Sequence, residues 1–323
     1  MVAENGTDRD KNTVLLVEDL VVEYGKKNKK TRAVNGMTFS VQEGECVGFV
    51  GPNGAGKSTT IKAIMGFLFP TSGTLKVFEE KAGTVASRER IGYLPEVALY
   101  YPFMKARELL ELYGGLHRMG RSELRERIPR ILTEVGLGGK DEVLLKNFSK
   151  GMQQRLGIAQ AIIADPELLV FDELSSGLDP IGRHDLREVL IRLKQRGKTI
   201  FFSSHELTEV EDLCDRVLMV HKGRCIEQKK VSELIHPLNR FTIRFTAKEG
   251  TAVGDLIGAL GRLTQENGHY NCEVVGAEDY ASTLKRLADS GATILEAHTE
   301  HVSLEKYFMN AIRLADEQTQ RAS

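Results

Sequence analysis

Residues 51–58 read Gly-Pro-Asn-Gly-Ala-Gly-Lys-Ser, a pattern of Gly51, four variable positions, Gly56, lysine and serine. Few short patterns restrict a fold so far. Backbone N–H groups close around a phosphate only where no Cβ stands in the way, and the chain must then enter a helix whose positive N-terminus faces the same anion. A strand therefore has to precede the turn and a helix has to follow it. The flanks comply: residues 45–50 form a short apolar stretch, and residues 58–69 have the pattern of a helix. In such a turn Lys57 reaches the β- and γ-phosphates while the Ser58 hydroxyl ligates Mg2+. Gly51, Pro52, Asn53, Gly54, Ala55, Gly56, Lys57, Ser58 and Thr59 are thus candidate ligands of a nucleoside triphosphate.

A second run, Leu168-Leu169-Val170-Phe171, ends in Asp172-Glu173. At the C-terminal end of a parallel strand, side chains face the crevice in which ligands bind. There Asp172 can hold Mg2+, directly or through water, and Glu173 can orient and deprotonate an attacking water. The following apolar segment, residues 199–202, ends in Ser203-Ser204-His205, which brings His205 to the same edge and within reach of the γ-phosphate. Ser149, ahead of Gly151 and the amphipathic segment 152–164, is a helix N-cap whose neighbourhood offers a further anion site.

Around these motifs the chain alternates strand and helix. Strands are expected at 14–24, 33–41, 75–78, 90–94, 167–171, 199–202 and 216–220, with helices at 182–196 and 206–213. That rhythm argues for a parallel sheet covered by helices. It is interrupted at 104–150 by a Leu-, Glu- and Arg-rich helical insertion, in which Pro129 is expected near a helix start, where proline is tolerated. Near Ile235-His236-Pro237 the character changes. Strands at 241–246, 271–275 and 293–297 and helices at about 251–261, 278–289 and 303–315 describe a second, smaller domain. Its His298 and His301 have no carboxylate or thiol at matching spacing and read as surface residues.

Taken in order, these elements resemble the ABC (ATP-binding cassette) ATPases over residues 14–235. The phosphate turn is similar to their Walker A motif and 168–172 to their Walker B, with Glu173 at the catalytic glutamate and Asp179 in the D-loop. The resemblance makes His205 the switch histidine and Tyr24 the aromatic that stacks on adenine. It sets Glu96 at the Q-loop position, where it would share in Mg2+ binding, and 149–155 at the signature. Two departures stand out. Phe148, Lys150 and Met152 replace three residues of the usual Leu-Ser-Gly-Gly-Gln, leaving Ser149 and Gly151, and Glu96 replaces a glutamine.

What the resemblance implies is an α/β fold: a P-loop NTPase ABC cassette with a RecA-like parallel sheet core, an antiparallel β subdomain and a helical subdomain at about 97–150. A polar tail, 1–13, precedes the cassette and a small α+β C-terminal domain, 236–323, follows it. The cofactors would be ATP and Mg2+. The partners would be a second cassette subunit, as a homodimer whose Ser149 and Gly151 complete the other subunit's site, and a separately encoded integral-membrane permease. That permease would dock around residues 96–103 and the helical subdomain. The variant signature and the closing segment 302–308 resemble the cassettes of ABC-2-type exporters, which would be peripheral on the cytoplasmic face of the membrane. The alternative is a soluble ATP-gated clamp acting on ribosomes or nucleic acid. Against it, only one Walker A occurs and the insertion is too short for a coiled-coil arm.

Composition agrees with this reading. With 44 Lys and Arg against 45 Asp and Glu, the net charge of −1 gives no reason to expect a nucleic-acid partner. The basic loop from Lys26 to Arg32 reads as a solvated turn. No apolar run approaches the roughly 18 residues of a membrane span, and the polar start, without an apolar h-region, does not read as a secretory signal. Cys46, Cys214, Cys225 and Cys272 lack metal or disulfide spacing, which fits a reducing cytoplasm.

Overall fold

Strands β1 (Thr13–Tyr24) and β2 (Thr31–Gln42) pair antiparallel, and the buried side chains of β1 show why. Val17 faces the core, then Leu20 and Val22: the alternation slips by one residue at Asp19, whose φ of 47° marks a bulge. The computed structural model describes residues 12–25, 30–234, 237–247, 252–266, 268–301 and 303–321. The core of the basic loop, 26–29, most of the polar tail, the Ile235-His236 boundary and the His301 side chain lie outside the described residues.

Five further strands and their helices follow in the order β3 (Cys46–Val50), α1 (Lys57–Ile64), β4 (Ser72–Val77), β5 (Glu80–Lys81), α2 (Val85–Glu89), β6 (Ile91–Leu94) and β7 (Leu168–Phe171). The helical insertion between β6 and β7 holds α3 (Ala106–Leu116), α4 (Arg121–Glu134) and α5 (Lys150–Ile162). Next come α6 (Pro180–Gln195), β8 (Thr199–Ser204), α7 (Leu207–Leu213), β9 (Arg216–His221), β10 (Arg224–Lys230) and α8 (Val231–Leu234). One sheet has the order β2-β1-β4-β5 and is antiparallel. The other, β10-β9-β3-β8-β7-β6, is parallel from β9 to β6. Every residue of β3, β7 and β8 is buried, as a parallel strand covered on both faces requires. Phe39, Phe49 and Phe201 join the two sheets, with ring centroids 5.2 to 5.7 Å apart.

The second unit contains β11 (Pro237–Thr246), α9 (Val253–Ile257), β12 (Gly261–Glu266), β13 (His269–Val275), α10 (Ala277–Asp289), β14 (Thr293–His301) and the start of α11 (Leu304–Arg321). Its antiparallel sheet has the order β12-β13-β11-β14, and α9 and α10 cover a core of Ile243, Phe245, Cys272, Val274 and Leu287. The chain divides into Met1–Val231 with Phe308–Ser323, and Ser232–Tyr307. The end of α11 thus groups with the first unit rather than with the rest of 236–323. Asp316 anchors it there, 2.8 Å from His221 Nε2 and 2.6 Å from Lys222 Nζ.

Beyond shifted ends, β5, α2, β10 and α8 have no counterpart in the sequence reading, and three of its expectations change. The first helix ends at Ile64 instead of 69, because Gly66 turns left-handed (φ 73°) where a Cβ would run into Gly83. Pro129 sits in the middle of α4 rather than near a helix start; the helix begins earlier, at Arg121, and absorbs one missing N–H donor. The helix expected at 251–261 stops at Ile257, and β12 follows it. No helix among the described residues is long and apolar enough to cross a membrane.

Candidate active site

The order β3-β8-β7-β6 lays four C-terminal strand ends side by side. From β3 the chain enters the turn 51–56, and Gly56 caps α1 with φ 105°, a conformation in which a Cβ would also lie 2.6 Å from Ala33 O. No side chain caps this helix and no acid occupies its first turn, so its N–H groups remain available for an anion. Lys57 is buried, with 5% of its surface exposed, and its Nζ donates to Gly51 O at 2.7 Å.

From β7 come Asp172 and Glu173, and from β8 come Ser203, Ser204 and His205. Lys57 Nζ lies 3.1 Å from Glu173 Oε1, and His205 Nδ1 lies 2.6 Å from Glu173 Oε2. Ser58 Oγ donates to Asp172 Oδ1 at 3.2 Å, and Ser203 Oγ donates to the same oxygen at 2.7 Å. Glu173 has φ 48°, a left-handed backbone that costs a non-glycine residue about 1 kcal/mol or more and persists only where its surroundings hold it. Part of that hold is the Glu173 N–H, which donates to Ser203 Oγ at 2.9 Å. Sequence reasoning noted Ser203 only as part of a strand end. Its bonds depend on β8 lying beside β7, and no local pattern signals that.

A cleft of about 520 Å³ opens over these groups, lined by Ala33, residues 53–59, Glu96, Glu173, Ser176 and His205. Glu96, carried past the end of β6, therefore faces the same space as Lys57. Tyr24 stands at the side, half-exposed, and its hydroxyl donates to Thr59 Oγ1 at 3.3 Å. Ser149, Gly151 and Asp179 are not part of this lining. Ser149 caps α5 by accepting from Met152 N at 3.2 Å, and Asp179 caps α6 by accepting from Gly182 N at 2.7 Å. Gly151 lies against Gly182, so the two helix starts are neighbours.

A buried ammonium, an uncapped helix start and a hydroxyl beside a carboxylate suit a triphosphate and a hard cation. Comparison with known proteins gives the same answer. Residues 34–176 match the family described as ABC transporter. An ABC transporter ATP-binding protein of Synechocystis sp. is 36% identical over 292 residues, which span 88% of this chain and 80% of that protein. The chain belongs to the ABC transporter ATP-binding proteins. A Nod factor export ATP-binding protein I of Paraburkholderia xenovorans is 34% identical over 285 residues, 87% of this chain and 92% of its own. Among solved structures, an ATP-binding subunit of an ABC transporter superposes with a TM-score of 0.61 at 32% identity, covering 69% of this chain and 92% of that one. As an ABC subunit the chain binds and hydrolyses ATP for a transporter whose membrane part is a separate partner. Its parallel core sheet, antiparallel sheet and helical insertion are those of an ABC cassette.

Proposed function

We propose that this ABC subunit drives export by closing around ATP as a homodimer, each copy completing the other's site. One observation carries the reading. The cleft that gathers Lys57, Ser58, Glu96, Glu173 and His205, with Asp172 bonded to Ser58 beneath it, lacks the Ser149 helix start, although both belong to one cassette. A second copy, turned to face the first, would bring Ser149 and Gly151 to the γ-phosphate and Asp179 to the shared boundary. The turn amides, Lys57, Ser58 and Thr59 would hold the triphosphate, and Tyr24 would lie against the base. Mg2+, which shields phosphate charge, would be held by Ser58 and Asp172 with Glu96 nearby. Glu173 would take the proton of the attacking water, and His205 would fix the Glu173 carboxylate and meet the γ-phosphate.

The cassette, 14–235, would be peripheral on the cytoplasmic face of a membrane, with the 97–150 insertion passing motion to a permease. Support for docking comes from the segment after β6. Val97, Leu99, Tyr101 and Phe103 are 66 to 90% exposed, an unusual density of bare apolar side chains. Beside them is a cleft of about 950 Å³ lined in part by Phe67, Tyr93, Val97, Leu99 and Leu116. Export is favoured by the Nod factor export relative.

Charging this surface tests the proposal. In a host co-expressing the membrane permease with which it works, the Leu99→Asp/Tyr101→Asp variant should be recovered with membranes at least about 10-fold less than wild type, since loss of one interface anchor costs about 2 kcal/mol or more. Equal recovery of both proteins would refute docking through this segment.

A further inference from the structure

Three consecutive residues at the end of the β7 strand are gripped by three side chains from three different elements. Ser203 Oγ of β8 takes the Glu173 N–H at 2.9 Å, and Gln154 Nε2 of α5 donates to Leu174 O at 2.6 Å. The third grip comes from α7, where Glu209 Oε2 accepts from Ser175 Oγ at 2.8 Å. The same Glu209 oxygen also accepts from Ser204 Oγ at 3.1 Å, one residue before His205. Ser204 Oγ in turn receives the Glu206 N–H at 2.9 Å, so the backbone on the far side of His205 is held to the same hydroxyl.

Glu209 is otherwise oddly placed. No ion pair reaches it among the described residues, while the nearby Arg183 pairs with Glu206 at 3.0 Å. Burial raises its carboxyl above the ordinary glutamate range, offset in part by the two serine hydroxyls. A partly buried carboxylate without a cation costs stability unless its hydrogen bonds return it. What those bonds join is the segment after Glu173, whose own backbone is strained at φ 48°, and the segment before His205.

We propose that Glu209 is a positioning residue for ATP hydrolysis: through Ser175 and Ser204 it ties the two segments together and so holds Glu173 and His205 in their 2.6 Å contact. This rests on the reading of Glu173 as the base. Glu209 touches neither the nucleotide cleft lining nor the reacting atoms, so its loss moves the catalytic pair without removing a phosphate contact. Misplacement of a reacting group by about 1 Å costs roughly 10²-fold in rate.

Steady-state ATPase kinetics on the full chain test this with Glu209→Ala, Glu209→Gln, the double variant Ser175→Ala/Ser204→Ala, and Glu173→Gln. Glu209→Ala should lower kcat at least about 10-fold while KM for ATP stays within about twofold. Glu209→Gln keeps an accepting oxygen in place and should stay within about threefold of wild type. The double serine variant, which deletes only two hydroxyls, should reproduce the Glu209→Ala loss, and adding Glu209→Ala to it should bring no further loss. Wild-type kcat in the double serine variant would overturn the proposal. A rise in KM that accounts for the whole effect, or an equal loss in Glu209→Gln, would also overturn it. If Glu173→Gln itself turned over normally, the assignment of the base would fail. A slow Glu173→Gln beside a normal Glu209→Ala would sink the role of Glu209 alone.

Discussion

Glu173→Gln is expected to bind ATP within about threefold of wild type and to hydrolyse it roughly 10²- to 10⁴-fold more slowly, the usual worth of a positioned base. The substitution is close to isosteric and keeps an oxygen for His205 Nδ1, which now lies 2.6 Å away. It removes two things an amide cannot supply: a base to take a proton from water, and the charge that faces Lys57 Nζ at 3.1 Å. On the proposed reading, nucleotide affinity depends instead on the turn amides, Lys57 and Ser58, all of which stay in place. The check is a single-turnover rate beside a binding titration. Turnover within tenfold of wild type would take Glu173 out of the chemistry.

Lys57→Ala fails at the earlier step. Its ammonium is 5% exposed, donates to Gly51 O at 2.7 Å and faces Glu173 Oε1 at 3.1 Å, so the charge is already held where phosphate oxygens would arrive. Hydrogen bonds to charged groups contribute about 1.5–3 kcal/mol, which corresponds to a roughly 10- to 150-fold weaker ATP affinity in calorimetry. A second effect follows from the ion pair. With alanine at 57, the buried Glu173 carboxylate loses its cation, and removing one partner of such a pair destabilises a protein by several kcal/mol at most. The variant should therefore also melt at a lower temperature without nucleotide. Unchanged affinity would contradict the phosphate-turn assignment.

Much of this site was legible in the chain because its parts are local. Gly51 to Ser58 encode a turn, a helix start and two candidate ligands in eight residues, Asp172 and Glu173 directly follow an apolar run, and His205 follows another after two serines. What was not legible depends on neighbours far along the sequence. Ser203 reaches Asp172 only because β8 lies beside β7, and Glu209 reaches Ser175 across 34 positions. Local pattern also misled where tertiary packing outweighs propensity. Pro129 looked like a helix opener and lies inside α4, whose Leu124, Ile128, Ile131 and Leu132 are buried and hold the helix together despite the lost donor. Gly261–Glu266 is too polar to read as a strand, yet β13 pairs with it along its whole length.

Specific ATPase activity of the purified chain, measured against its own concentration over several decades of dilution, addresses the shared site most directly. Two half-sites that must meet give a specific activity that falls in proportion to concentration once the dimer dissociates, and that recovers on reconcentration. A specific activity that stays constant down to the greatest dilution, from a particle that remains a monomer with Mg-ATP, would show that one copy of the chain holds a complete site.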